Sequence, residues 1–257
     1  MINRLLPRGS ADLLRQIALF CGAYWLYRLV RGIVDGQVGE AFEHARQVIA
    51  LEHHVGLFVE PHVQSWATGQ TWLIDAASWM YLNSHFVVTT TALAFIYLFR
   101  NEHFYFVRNM FMVAMGIALL GYLIYPTAPP RLLPEWGFLD SVSDFTGVND
   151  SGSANLLVNP YAAVPSMHVG FALMLAVPMV RMARRSWVKA LWSVYPAMIT
   201  FVVISTGNHF VFDAVTGALT AGISALAAQA LFARVRPHAW AWQPVHESPG
   251  VPAPAPA

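Results

Sequence analysis

Cysteine is almost absent from this chain, and so is charge. The single cysteine, Cys21, lies inside an apolar run, so no internal disulfide and no cysteine-based metal site can be built. Only 11% of the 257 residues are charged while 56% are hydrophobic, and the mean hydropathy of +0.48 excludes both one large soluble domain and two small ones. The net charge is +1, and the basic residues sit at segment ends instead of forming a stripe, so a nucleic-acid partner is not expected. Internal repeats and a second soluble domain are also missing. What is present is apolar sequence in lengths that suit a bilayer.

A spanning helix takes roughly 20 mainly apolar residues. Six stretches approach that length: Leu13 to Val34, Trp72 to Phe99, Tyr105 to Tyr125, Ser166 to Val180, Val188 to Ser205 and Phe212 to Phe232. The expectation is an all-α, polytopic membrane protein: a six-span helix bundle over residues 1–236, then a Pro/Ala-rich disordered tail over 237–257. Arg4 and Arg8 precede the first run and Arg15 lies at its head, but Tyr24, Trp25 and Tyr27 interrupt it and no small-residue cleavage site follows, so it reads as an uncleaved anchor.

Between the first two runs, Asp35 to Gln70 mixes Glu40, Glu43, His44, Glu52, His53, His54, Glu60 and His62 with apolar residues at helical spacing. One or two amphipathic helices along the membrane surface are expected, with Trp66 and Trp72 at headgroup depth. Glu52, His53, His54 and His62 have the residue types of a metal site. Adjacent histidines, however, point to different helix faces, and the i, i+4 ligand pair is absent, so no metal and no cofactor is expected.

With the N-terminus inside, eleven basic residues fall on the inner side: Arg4, Arg8, Arg15, Arg100, Arg108, Arg181, Arg184, Arg185, Lys189, Arg234 and Arg236. Arg28, Arg31, Arg46 and Arg131 fall outside, which is a positive-inside bias. This arrangement suits a plasma (inner) membrane with both termini cytoplasmic. It also puts the Pro126 to Pro165 loop and the heads of the fourth and sixth runs on the outer face. That loop opens with Pro126, Pro129, Pro130 and Pro134 around Arg131, and continues through a polar, mobile stretch from Ser141 to Asn155.

Two polar clusters stand at those heads. AVPSMHVG, Ala163 to Gly170, puts Ser166 and His168 at a helix start expected at Pro165, where free N–H groups and the dipole favour an anion. GNHFVFDAVTG, Gly207 to Gly217, puts His209 and Asp213 one turn apart, so the carboxylate can hold one imidazole nitrogen and leave the other free as a nucleophile. His168 can give a proton to a leaving oxygen. Arg131 reads either as an interfacial snorkeller or as a fork on two phosphate oxygens. Ser166 reads as a cap, a phosphate donor or both. Arg108 lies about 27 Å of helix from Pro126 and is excluded from the site. His85 and Asn83, within the second run, serve either helix packing or a cavity wall, and Asp75 is a more distant candidate.

PPR at Pro129 to Arg131, PSMH at Pro165 to His168 and NHFVFD at Asn208 to Asp213 resemble the three signature motifs of the type 2 phosphatidic acid phosphatase superfamily, which includes vanadium haloperoxidases. Met167 replaces the glycine of the PSGH motif. The resemblance implies a metal-independent enzyme in which His209 attacks phosphorus to form a phosphohistidine, Asp213 orients it, His168 protonates the leaving group, and Arg131 and Ser166 bind phosphate. Two cations of the usual motifs are absent: Ile124 and Val203 stand in their places, and Leu132 replaces a proline. In this the chain resembles the branch that contains inositol phosphorylceramide synthase. The expected partners are a lipid phosphate substrate and membrane lipids, with hydrolysis or transfer to a sugar or inositol hydroxyl both open. The reading from another class is a non-catalytic lipid-binding or transport protein.

Overall fold

The computed structural model describes residues 6–34, 37–147 and 161–242. Arg4, Asp35, most of the mobile stretch expected after Thr146 and the last ten residues of the tail lie outside the described residues. The remainder is helical, with no strand among the described residues; Thr127 and Ala162 make one isolated bridge.

The apolar runs become α1 (Gly9–Val34), α4 (Thr71–Phe99), α5 (Asn101–Ile124), α7 (Met167–Met182), α8 (Ser186–Ser205) and α9 (Val211–Ala227). A π-helical turn, Ala228–Phe232, and a last turn, Ala233–Val235, carry α9 onward. Between them lie α2 (Val38–Val55), α3 (Glu60–Thr68) and α6 (Ser141–Thr146). Among the described residues, four helices are long and apolar enough to cross a membrane: α4, α5, α8 and α9 with its extension to Val235. Helix α1 has the length but carries Asp12, Arg15, Arg28 and Arg31, and α7, at 16 residues, is about 24 Å long.

Helix α7 packs against α4, α5, α8 and α9, so the bundle is organised around it. Close approach of α7 and α9 depends on Gly217, where a Cβ would run into the Ser166 carbonyl. The main core joins α4, α5, α7 and α9 through Ile96, Phe104, Val107, Phe111, Met174, Leu175 and Ala221. Large apolar side chains remain exposed around the bundle, among them Phe86, Phe99, Leu120, Leu191, Leu219 and Leu226, as expected of a surface that lipid covers.

Helices α2 and α3 form a cap over the start of α9. A second core, from Ala41, Ala45, Val48, Ile49, Ala128, Leu133, Phe138 and Phe210, joins α2 to the proline-rich segment after α5. That segment is tied down by the Ala128 N–H to the Ala41 carbonyl at 3.0 Å and by His44 Nδ1 to the Pro126 oxygen at 2.7 Å. From α3, Gln64 makes a reciprocal amide pair with the Leu139 backbone, at 2.8 and 3.1 Å.

Within the 35–70 segment Glu52 and Glu60 are buried against α9, where free helix-start N–H groups lie beneath them. Two expectations are corrected here. Ser141–Thr146 is a helix, because Asp140 caps it through the Ser143 N–H and hydroxyl. The segment from residue 237 begins as a helical turn, Pro237–Trp240, and Trp242 stacks on His103 at 4.2 Å while its carbonyl meets His103 Nδ1.

Candidate active site

Helix α7 begins at Met167, two residues after the expected start, with Ser166 at the N-cap and a cis peptide before Pro165. The Ser166 N–H donates to the Asp213 carbonyl at 3.0 Å, which locks the two helix starts together. Its hydroxyl makes no capping bond. Ser166 is fully buried and its Oγ has no hydrogen-bond partner. The first amides of α7 have no acceptor within the helix.

His209 precedes α9 on a loop that turns at Gly207, whose φ of +68° disfavours any side chain; a Cβ there would also press on Gln64 Nε2. His209 Nδ1 lies 3.1 Å from Asp213 Oδ2, and the same oxygen accepts the Phe210 N–H at 2.9 Å. Asp213 is fully buried and His209 is 5% exposed. An aspartate on Nδ1 makes that nitrogen the protonated one and leaves the Nε2 lone pair free. The rings of His209 and His168 are 5.6 Å apart, edge to face.

Arg131 reaches the same place from the proline-rich segment, in a 3₁₀ turn, Pro130–Leu132, with its N–H held by the Gly207 carbonyl at 2.7 Å. Its Nε lies 3.6 Å from Asp140 Oδ1, and its buried Nη1 has no partner. One edge of the guanidinium is therefore engaged by Asp140 and another is free.

Arg131, Asn208, His209 and His168 line a cavity of about 380 Å³. Its remaining wall is mostly apolar and includes Phe86 from α4, Met115 and Leu119 from α5 and Phe171 from α7. This is a chamber with a polar end and an apolar arm.

The structure brings together every residue the motifs singled out: Arg131, Ser166, His168, His209 and Asp213. It adds His85, whose ring is 4.4 Å from that of His168 and stacks on Phe171 at 5.1 Å, and Tyr81, which stacks on His168 at 4.7 Å. Of the two readings for His85, the cavity wall is the one observed; Asn83 instead bonds the Trp79 carbonyl of its own helix. Asp75 is exposed on α4, about 15 Å of helix from His85. Arg108 is bound to Gln16 and Asn109 at the other end of α5. Ile124 is 75% exposed and Val203 is buried in the core, so neither place that lacks its usual cation faces the cavity. Among the described residues no His, Cys, Asp or Glu side chains gather as a metal-binding group; Glu52 turns toward α9 and the His53 ring lies tilted against Phe58 at 4.3 Å.

Sequence reasoning missed Asp140 and Asn208 as parts of this place, and Glu52 and Glu60 beside it. Asp140 carries a short-range signal, since it caps α6, but its pairing with Arg131 depends on how the loop folds back.

A family model of the PAP2 superfamily matches residues 46–227, a span that contains all five motif residues. No curated protein and no solved structure matches the chain. With more than half of its length covered by that match, the chain belongs to the PAP2 superfamily.

Proposed function

We propose that this chain is a lipid-phosphate phosphatase or phosphotransferase that works through a phosphohistidine on His209. Family membership and the apolar helices fit a membrane enzyme of this kind. The observation that carries the mechanism is His209 held through Nδ1 by a buried Asp213, in a cavity it shares with His168 and Arg131. Nε2 of His209 attacks phosphorus, and His168 gives its proton to the departing oxygen. Water or an alcohol then attacks the phosphohistidine and returns a proton to His168. Arg131 Nη1, the Ser166 hydroxyl and the first amides of α7 receive the phosphate oxygens as charge builds. No step requires a metal.

The apolar arm suits a lipid chain, and one partly engaged cation suits a singly charged phosphodiester better than a dianionic monoester. That favours transfer, to a sugar or inositol hydroxyl, in the manner of the branch containing inositol phosphorylceramide synthase. In the same reading the bundle has six spans, with α1 and α7 as the two less evident ones, α2 and α3 lying at the interface and the histidines on the outer face. Arg8, Arg108, Arg181 and Arg236 gather near Tyr105, Trp240 and Trp242, at the end away from the cavity, in keeping with a positive inner side and cytoplasmic termini.

The test is turnover of a panel of radiolabelled lipid phosphates and phosphodiesters by detergent-purified protein, with water, inositol or sugars as acceptors. Wild type is expected to release or transfer label, and His209→Ala is not. Equal behaviour of the two on every substrate would overturn the reading. An acid-labile, alkali-stable phosphoenzyme is expected when wild type is quenched in alkali under single-turnover conditions, and its absence there would remove the covalent step.

A further inference from the structure

Three of the first amides of α9 are taken by carboxylates from three helices. The Phe210 N–H goes to Asp213, the Val211 N–H goes to Glu60 Oε1 at 2.7 Å, and the Phe212 N–H goes to Glu52 Oε1 at 2.7 Å. Glu52 is 2% exposed and Glu60 is fully buried. The two lie in the last turn of α2 and at the first residue of α3, and the connection between them turns at Gly56 in the left-handed conformation. The remaining oxygen of each, Oε2, is buried and receives no N–H or O–H from any other residue.

A helix start offers about half a positive charge. Set against Glu52, Glu60 and Asp213 together, that cannot offset three buried negative charges. The side chains of Glu52 and Glu60 are within hydrogen-bonding reach of each other. A proton on Glu52 removes one of those charges and supplies the donor for a hydrogen bond between the two side chains. Burial, reinforced by the hydrogen bond to Glu60 and the charges of Glu60 and Asp213, pushes the Glu52 carboxyl up to about 9.

We propose that Glu52 and Glu60 are positioning residues of the His209 site: an acid pair that shares one proton and clamps the first amides of α9, fixing His209 and Asp213 opposite His168. The proposal rests on the reading of His209 as nucleophile. It has a corollary for the phosphate. With the α9 amides occupied, helix-start donors for the substrate come from α7 alone.

The charged and titratable groups facing Glu52 are Glu60 from α3 and Asp213, with His209 behind it, from α9. In the folded chain Glu52 keeps its proton to about pH 9, while unfolded it releases it near 4.5. Between those values the folded state holds more protons, so stability is full below about 4.5 and falls as pH rises toward 9.

The experiment compares the full chain with Glu52→Gln and Glu52→Ala in detergent, reading Tm from pH 5 to 10 and kcat and KM on the lipid phosphate that wild type turns over best. The glutamine oxygen can accept the Phe212 N–H and its amide can donate to Glu60. Glu52→Gln is therefore expected to match wild-type kcat at neutral pH, to lack the decline in Tm with rising pH, and to keep activity further into alkali. Glu52→Ala is expected to lower kcat by about 10²-fold with KM little changed, as for a displaced reacting group. Identical Tm slopes for wild type and Glu52→Gln would overturn the shared proton. Wild-type kcat in Glu52→Ala would overturn positioning, and if that variant does not fold, an unchanged alkaline limb in Glu52→Gln does the same. The Tm slopes need no substrate, so an inactive wild type would count against the catalytic reading alone.

Discussion

Two clusters of buried polar side chains occupy opposite ends of α5, and they are finished to different degrees. Near its start, Arg108 donates to Gln16 at 3.0 Å and to Asn109 at 2.6 Å, Asp12 accepts from Tyr105 at 2.6 Å and Tyr97 at 3.1 Å, and Arg8 lies over the Tyr105 ring. Among the described residues only Asn109 Nδ2 is left over there. Near its end, beyond Tyr122, Ser166 Oγ, Arg131 Nη1 and Asp213 Oδ1 are all buried without a partner. An orphaned buried polar atom costs about 1–3 kcal/mol. Of the three at this end, the Arg131 guanidinium and the Ser166 hydroxyl are donors, and bare buried donors of that kind are what the proposed phosphate site calls for. The difference separates a finished polar joint, which docks α1 onto α5, from the cluster proposed to bind phosphate.

The sharpest way to break this contrast is at the unfinished end. His209→Ala is expected to reduce turnover by at least about 10³-fold while Tm stays within a few degrees of wild type; single-turnover kinetics with a thermal melt checks both. Arg131→Lys keeps the charge but loses the fork that Asp140 and the free Nη1 divide between them. A fall of about 10²-fold in kcat/KM is expected, and recovery to wild-type rates would show that a point charge suffices. At the finished end the ranking reverses: Arg108→Met should lose about 1–3 kcal/mol of stability and leave kcat/KM unchanged, as read from denaturation and steady-state assays on one preparation. The smallest effect is expected at His85. Phe at that position keeps the stack on Phe171 and removes both nitrogens beside His168, so kcat should fall about tenfold and the acidic limb of its pH profile should shift, with Tm unchanged. An unmoved profile would reduce His85 to packing.

The same contrast bears on what could be read in advance. Arg108 was correctly kept out of the site, because distance along an apolar helix is fixed by its rise per residue. His85 was ambiguous for a related reason. Its place within the second run suits helix packing and a cavity wall alike, and only the structure shows that α4, at 29 residues about 43 Å long, passes the cavity partway along. For the carboxylates of α2 and α3, the helical spacing predicts amphipathic helices and nothing about their partners. Spacing says which residues share a face, but it does not say what that face meets.

Sequence alone determined the helical class, the apolar runs to within a few residues at most ends, and the five motif residues with the i, i+4 relation between His209 and Asp213. All of these are set by local periods and helix starts, which operate over one or two turns. Tertiary structure decided the rest: that Gly217 lets α9 close on Ser166, that His85 and Tyr81 stand against His168, that Asp140 engages Arg131, and that Glu52 and Glu60 close over the first amides of α9. Those contacts join residues separated by as many as 160 positions. A buried N–H needs an acceptor but does not specify where in the chain it comes from, so only packing of the cap onto the bundle could choose the partners.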